Sequence, residues 1–291
     1  MTLAEGDVRT GKDAGDENFP VASRLIAARH RPAIMAFYAF ARTADDVADH
    51  ETLTPEEKLA HLEILRGSLR GEHDRAPVAV ALRETLSARG LPTLPAEELL
   101  VAFRQDATQA RYPTWEALMT YCRYSAAPVG RMVLAIHGEP ETTWPASDAL
   151  CAALQVINHL QDCGEDYRRL NRVYLPQDLM AREGGIEAEL QAPAASPALR
   201  RVLTELAHRS LGLLADGRPL AGQVRDPRLR LEVAVIQRLA EDLAAKLIAR
   251  DPISRRVHHS KLEVAALTGS ALVRAILPGS RTASARASVT G

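Results

Sequence analysis

Tyr38-Ala39-Phe40-Ala41-Arg42-Thr43-Ala44-Asp45-Asp46-Val47-Ala48-Asp49 is the stretch that decides how this chain is read. Asp45 and Asp49 stand at i and i+4, so on a helix both carboxylates project from one face. Like charges at that spacing repel and weaken an isolated helix. The arrangement returns more than a hundred residues later in Asp162-Cys163-Gly164-Glu165-Asp166, where Asp162 and Asp166 form the pair. A chain that does this twice inside otherwise apolar helices has a use for cations between the carboxylates. Oxygen ligands in pairs suit Mg²⁺, which binds through one or two carboxylates plus substrate phosphates. The chemistry indicated is that of a diphosphate.

Each pair extends into a polar stripe. Asp49, Asp45, Arg42 and Tyr38 share one face of the first helix, while Ile34, Met35, Phe37, Phe40 and Val47 fill the others. An arginine one turn below an acidic pair can grip diphosphate oxygens bidentately or hold the carboxylates in place. On the second helix Gln155, Asn158, Asp162 and Asp166 share a stripe, flanked by Leu154, Val156, Ile157 and Leu160. Amides beside carboxylates suit a metal shell or a water relay better than a core. A single acidic cluster of this kind reads as a solvated helix face. Two clusters with matching polar partners favour metal.

Around these helices the 291-residue chain reads as all-helical. Hydrophobic residues make up 46% and aromatics only 4%, a balance that favours helix over sheet. Breaks near 71–77, 90–95, 138–145, 184–197 and 217–227 leave about nine helices with apolar positions three and four apart. Thr54-Pro55-Glu56-Glu57 offers an N-cap, a proline and a capping-box glutamate. Ser196-Pro197, Asp226-Pro227 and Asp251-Pro252 repeat the cap-then-proline pattern, and Thr114 and Ser147 are N-cap candidates for helices over 115–136 and 148–168. The expected organisation is a flexible arm over 1–16, one helical domain over 17–277 and a tail over 278–291. A formal charge of −1 gives no electrostatic footprint for nucleic acid. Three cysteines and no signal peptide point to reduced thiols in the cytoplasm. His159, His258 and His259 lack the further ligands that zinc requires and are read as non-ligands. The stretch 262–277 is amphipathic, suited either to a membrane surface or to packing on the bundle.

At the level of whole segments, Tyr38 through Asp49 resembles the first aspartate-rich motif of the squalene/phytoene synthase family, and Leu154 through Asp166 resembles the second. Arg172-Val173-Tyr174-Leu175-Pro176 follows where that family places its arginine-tyrosine-leucine-proline signature, and Tyr121 through Gly130 is similar to its tyrosine-containing central helix. Three details are similar to the hydroxysqualene branch of bacterial hopanoid biosynthesis. These are Glu17-Asn18-Phe19-Pro20-Val21-Ala22-Ser23, Ser125-Ala126-Ala127-Pro128-Val129-Gly130 (with Ala127 in place of asparagine), and Gln161 where other branches carry arginine.

The resemblance implies an isoprenoid synthase helical bundle around a central apolar cavity, with Asp45, Asp49, Asp162 and Asp166 holding Mg²⁺ at its mouth. It implies that Arg42, Asp46, Arg172 and Tyr174 meet the substrate diphosphate. Arg42 as an ordinary ion pair, and Arg172 and Tyr174 as compensation of a helix C-terminus, are the alternatives. Tyr38 and Tyr121 would stand near a carbocation or simply pack, while Gln155 and Asn158 would position the metal shell or a capturing water. The implied substrate is presqualene diphosphate, ionised, rearranged and captured by water to hydroxysqualene. The implied functional partners are a presqualene diphosphate synthase and a hydroxysqualene-reducing enzyme, with peripheral membrane contact consistent with a lipid substrate. Alternatives are a head-to-head condensing synthase acting on farnesyl diphosphate, and a non-catalytic subunit of the same fold.

Overall fold

The computed structural model describes residues 26–276, so the expected arm, the 17–23 resemblance and the tail lie outside the described residues. Twelve α-helices occur among them: α1 (Arg31–Ala48), α2 (Pro55–Arg70), α3 (Pro77–Ser87), α4 (Leu94–Thr108), α5 (Trp115–Ser125), α6 (Ala127–Ile136), α7 (Trp144–Leu170), α8 (Gln177–Glu183), α9 (Pro197–Gly217), α10 (Leu220–Gln223), α11 (Pro227–Ala249) and α12 (Lys261–Ile276). Two 3-10 turns, at Glu141–Thr143 and Glu187–Gln191, complete the described helical elements. Among the described residues the only bridge outside helices is one parallel pairing of Arg111 with Val173.

Caps account for many of the helix starts. Thr54 and Glu57 form a reciprocal capping box on α2, Thr114 accepts from Ala117 N on α5, Ser196 from Leu199 N on α9, and Asp226 from Arg228 N and Leu229 N on α11. Three expectations are corrected. The helix expected over 115–136 is two, because the backbone turns at Ala126 and Pro128 sits in the first turn of α6. α7 begins at Trp144, with Thr143 at its cap and Pro145 in its first turn, so Ser147 is inside the helix and buried. Asp251-Pro252 starts no helix. Asp251 instead accepts from Ala195 N and Ile253 N, and α12 starts at Ser260, whose hydroxyl accepts from Glu263 N while Glu263 accepts from Ser260 N.

Two apolar cores result. Phe37, Phe40 and Val47 of α1 pack with Leu65, Leu82, Leu99 and Leu100 in the first. In the second, Leu118 meets Leu150, Ile157, Leu160, Leu203, Leu206 and Leu243 from α7, α9 and α11. α6 joins them, giving Met132 and Ile136 to the first core and Leu134 to the second. α12 packs on α11, with Leu267, Ala271 and Leu272 against Val235 and Leu239. Among the described residues no helix is long and apolar enough to cross a membrane.

The α7–α9 crossing is close because α9 ends in glycine there. A Cβ on Gly217 would stand 3.0 Å from both the Leu150 nitrogen and the Leu150 Cβ, whereas one on Gly212, on the exposed side of the same helix, would meet nothing within 4 Å. Gly217→Ala should therefore destabilise the protein by roughly 1–3 kcal/mol. Gly212→Ala should be neutral or stabilising by up to about 1 kcal/mol. Urea unfolding of the two variants checks the contrast.

Candidate active site

The polar stripes of α1 and α7 lie between the two cores. On α1, Tyr38, Arg42, Asp45 and Asp49 are part-exposed while Ile34, Phe37, Phe40, Ala44 and Val47 are buried. On α7, Gln155, Asn158, Asp162 and Asp166 are part-exposed while Val156, Ile157 and Leu160 are buried. Arg42 donates from Nη1 to Asp45 Oδ2 at 3.1 Å and from Nη2 to Asp46 Oδ1 at 2.6 Å. Asp46 itself is buried, turned off the stripe and against the guanidinium. Arg42 is thus fixed along α1 with two carboxylates on its fork.

Arg172 brings the two motif helices together. α7 ends at Leu170, and Asn171 takes the left-handed conformation (φ 51) that turns the chain back. Arg111 holds that turn through the Asn171 carbonyl and side chain, and Val173 N donates to Ala110 O at 2.9 Å. Arg172, 6% exposed, then donates from Nη1 to Asp49 Oδ1 at 2.5 Å and from Nη2 to Ala48 O at 2.8 Å. Lys58 Nζ also donates to Ala48 O, at 2.9 Å. Two cations therefore meet the open carbonyl end of α1, where the helix dipole favours them. In this structure Arg172 is a buried strut between α1 and the end of α7.

The electrostatics record how near the carboxylates stand. Asp45 is pushed up to about 8, first by burial and then by Asp49. Asp166 is pushed up to about 8 by burial, then by Asp162 and by Asp49 from the facing helix. Asp45 keeps 39% of its side-chain surface exposed. Among the described residues no three His, Cys, Asp or Glu side chains converge to hold one ion. Paired, oxygen-only donors fit a hard divalent cation whose remaining positions are filled by phosphate oxygens and water, rather than a closed protein cage.

Deeper in, Tyr121 (3% exposed) and Tyr174 (8% exposed) donate their hydroxyls to the two oxygens of Asp106, at 2.9 and 2.8 Å. The Tyr174 ring stacks on His159 at 3.7 Å, and Tyr112 stacks on Tyr174 at 5.6 Å. Gln155 Nε2 lies 3.3 Å from His159 Nε2. Burial, then the Arg172 charge, pushes His159 down to about 3, so it is a neutral packing partner. Sequence reasoning missed Asp106, which has no acidic neighbour at helical spacing. Its one signal is position: it continues the buried Leu99 and Ala102 face of α4. Gln161, buried on α7, donates to Val257 O at 2.5 Å and pins the segment ahead of α12 beside the second motif. His259 donates to Asp242 in that same segment's anchorage on α11.

A carboxyl with a raised pKa binds its proton more tightly folded than unfolded. Between about pH 4 and 8 the folded chain therefore carries the extra protons of Asp45 and Asp166, and stability falls as pH rises through that window. The metal-free protein should melt lower at pH 8 than at pH 5. Asp45→Asn and Asp166→Asn should each flatten that dependence and melt higher than wild type at pH 8, read by scanning calorimetry.

Comparison with known proteins places this geometry. Residues 12–263 match the family model described as squalene/phytoene synthase. A hydroxysqualene synthase of Rhodopseudomonas palustris is 53% identical over 263 residues, 90% of this chain and 90% of its own length. The crystal structure of squalene synthase HpnC from Alicyclobacillus acidocaldarius matches with a TM-score of 0.67 and 35% identity, covering 76% of this chain and 84% of that one. A dehydrosqualene synthase in complex with ligand, at 23% identity, shares the fold with a TM-score of 0.74 over 86% of this chain and 88% of its own.

Proposed function

Because the chain belongs to the squalene/phytoene synthase family, we propose that it converts presqualene diphosphate to hydroxysqualene by ionisation, rearrangement and capture with water. What carries the reading is the pair of facing carboxylate stripes in a chain 53% identical to a hydroxysqualene synthase over nine-tenths of its length. Asp45, Asp49, Asp162 and Asp166 would hold Mg²⁺. Bound there, the ion supplies charge neutralisation to the departing diphosphate.

The chain's own residues do the rest. Arg172 and Arg42 fix the carboxylates, so their positions need little reorganisation when substrate arrives. Asp46 orients Arg42 from its buried side. The apolar walls of both cores keep bulk water from the cation formed when the carbon–oxygen bond breaks. Gln155 and Asn158, on the stripe with Asp162, are placed to order the single water that is admitted. Tyr38, part-exposed and one turn before Arg42 on the same stripe, would offer its ring or hydroxyl to the cation. Exposed Leu262 and Val264, beside the basic Arg255-Arg256 stretch, form the surface through which the protein would meet a membrane carrying its lipid substrate. A cytoplasmic enzyme of this kind works between one that supplies presqualene diphosphate and one that reduces hydroxysqualene.

Purified protein incubated with Mg²⁺ and presqualene diphosphate, without nicotinamide, should release diphosphate and hydroxysqualene in equal amounts. Farnesyl diphosphate alone should yield neither. Presqualene diphosphate made from farnesyl diphosphate would instead identify a condensing synthase, and silence with both substrates would point to a helical subunit without chemistry. Asp162→Asn should fold normally and slow diphosphate release by at least about 10²-fold.

A further inference from the structure

Capture of a carbocation by water leaves a proton to be taken up, and the groups around the site differ in fitness to take it. His159 is held neutral with its pKa pushed down to about 3, too weak a base near neutral pH. Asp45, Asp49, Asp162 and Asp166 are engaged with cations in the function proposed above. Asp106 remains. It stands on α4, part-exposed, near enough to Asp45, Asp49 and Arg172 to feel their charges, and each of its oxygens accepts one tyrosine hydroxyl, from Tyr121 on α5 and from Tyr174 after α7. Both phenols donate to it, and the two hydroxyls also stand close enough to interact with each other. Each phenol oxygen has two lone pairs, so one can still accept from a water molecule. The hydroxyls are held in place by buried rings: Tyr174 between His159 and Tyr112, and Tyr121 at 5.1 Å from Tyr112.

We propose that Asp106 is the proton acceptor of the water-capture step, reached through the hydroxyls of Tyr121 and Tyr174. The proposal rests on the water-capture reading of the reaction. As the water oxygen forms its bond to the carbocation, one water O–H bond breaks. That proton passes to a phenol oxygen, the phenol's own proton passes to Asp106, and the neutral alcohol is left; no oxidant or reductant takes part. Asp106 then returns its proton to solvent. Burial raises the Asp106 carboxyl to about 6, while Arg172 and the two tyrosine hydrogen bonds hold it down against Asp49. A base in that range is charged at neutral pH yet still competent to accept. The tyrosines also determine where the water stands, and so which carbon receives it.

The test is product yield per diphosphate released, measured by mass with Mg²⁺ and presqualene diphosphate for wild type, Asp106→Asn, Asp106→Glu and the Tyr121→Phe/Tyr174→Phe double variant. Asp106→Asn should keep diphosphate release within about tenfold, because ionisation does not use it, while hydroxysqualene per diphosphate falls at least about tenfold in favour of elimination hydrocarbons and misplaced alcohols. Asp106→Glu should recover part of the yield, and the double variant should shift products in the same direction as Asp106→Asn. Unchanged hydroxysqualene per diphosphate in a folded Asp106→Asn variant, whatever its rate, overturns the proposal. If that variant fails to fold, an unchanged yield in the double variant overturns it equally. Wild type that releases diphosphate without forming hydroxysqualene refutes the underlying reading instead, so the two failures are told apart.

Discussion

Mutual repulsion among carboxylates gathered between two helices is the constraint on which the rest of this structure depends. Asp45 and Asp49 on α1 face Asp162 and Asp166 on α7, and Asp106 stands behind them. Left alone, such a group opposes folding, and the raised pKa values of Asp45, Asp106 and Asp166 are the trace of burial first and of that repulsion second. The chain answers with arginines placed at the edges of the cluster rather than within it. Arg42 takes Asp45 and Asp46, and Arg172 takes Asp49. In the proposed function the centre between them is where the ion would bind. Stability is yielded where chemistry is needed, a pattern common at functional sites.

Position is held by helix ends. The first stripe finishes at the C-terminus of α1, so Asp49 lies where Arg172 and Lys58 already gather to meet the last carbonyls. The second finishes at the end of α7, where left-handed Asn171 reverses the chain and delivers Arg172 to the opposite helix. Rigid cores on either side fix the spacing. One is built by α1–α4, the other by α5, α7, α9 and α11, and α6 feeds both. The close α7–α9 crossing at Gly217 belongs to this frame, since it seats the long α7 against the second core.

Much of this was legible in sequence because helical spacing is a local property. The stripes of α1 and α7, and the capped starts of α2, α5, α9 and α11, all follow from residues within one or two turns. Contacts across the fold were not legible. Nothing near Arg172 announces that it reaches Asp49, 123 positions away. Asp106 meets Tyr121 and Tyr174 from three separate elements, and alone in its helix it looks like any surface aspartate. The break at Ala126 was missed because the apolar pattern runs on through it while Pro128 silently opens a new helix. Asp251-Pro252 carried a start signal but serves a turn, and the working capping box, Ser260 with Glu263, lies nine residues further on.

If the carboxylate cluster is built for a cation and a diphosphate together, the two must bind together. Calorimetric titration of inorganic diphosphate into the protein reads this directly. The account predicts heat of binding only with Mg²⁺ present, lost in Asp45→Asn and in Asp162→Asn. Equal affinity for diphosphate with and without Mg²⁺, or binding undiminished in both variants, would contradict it.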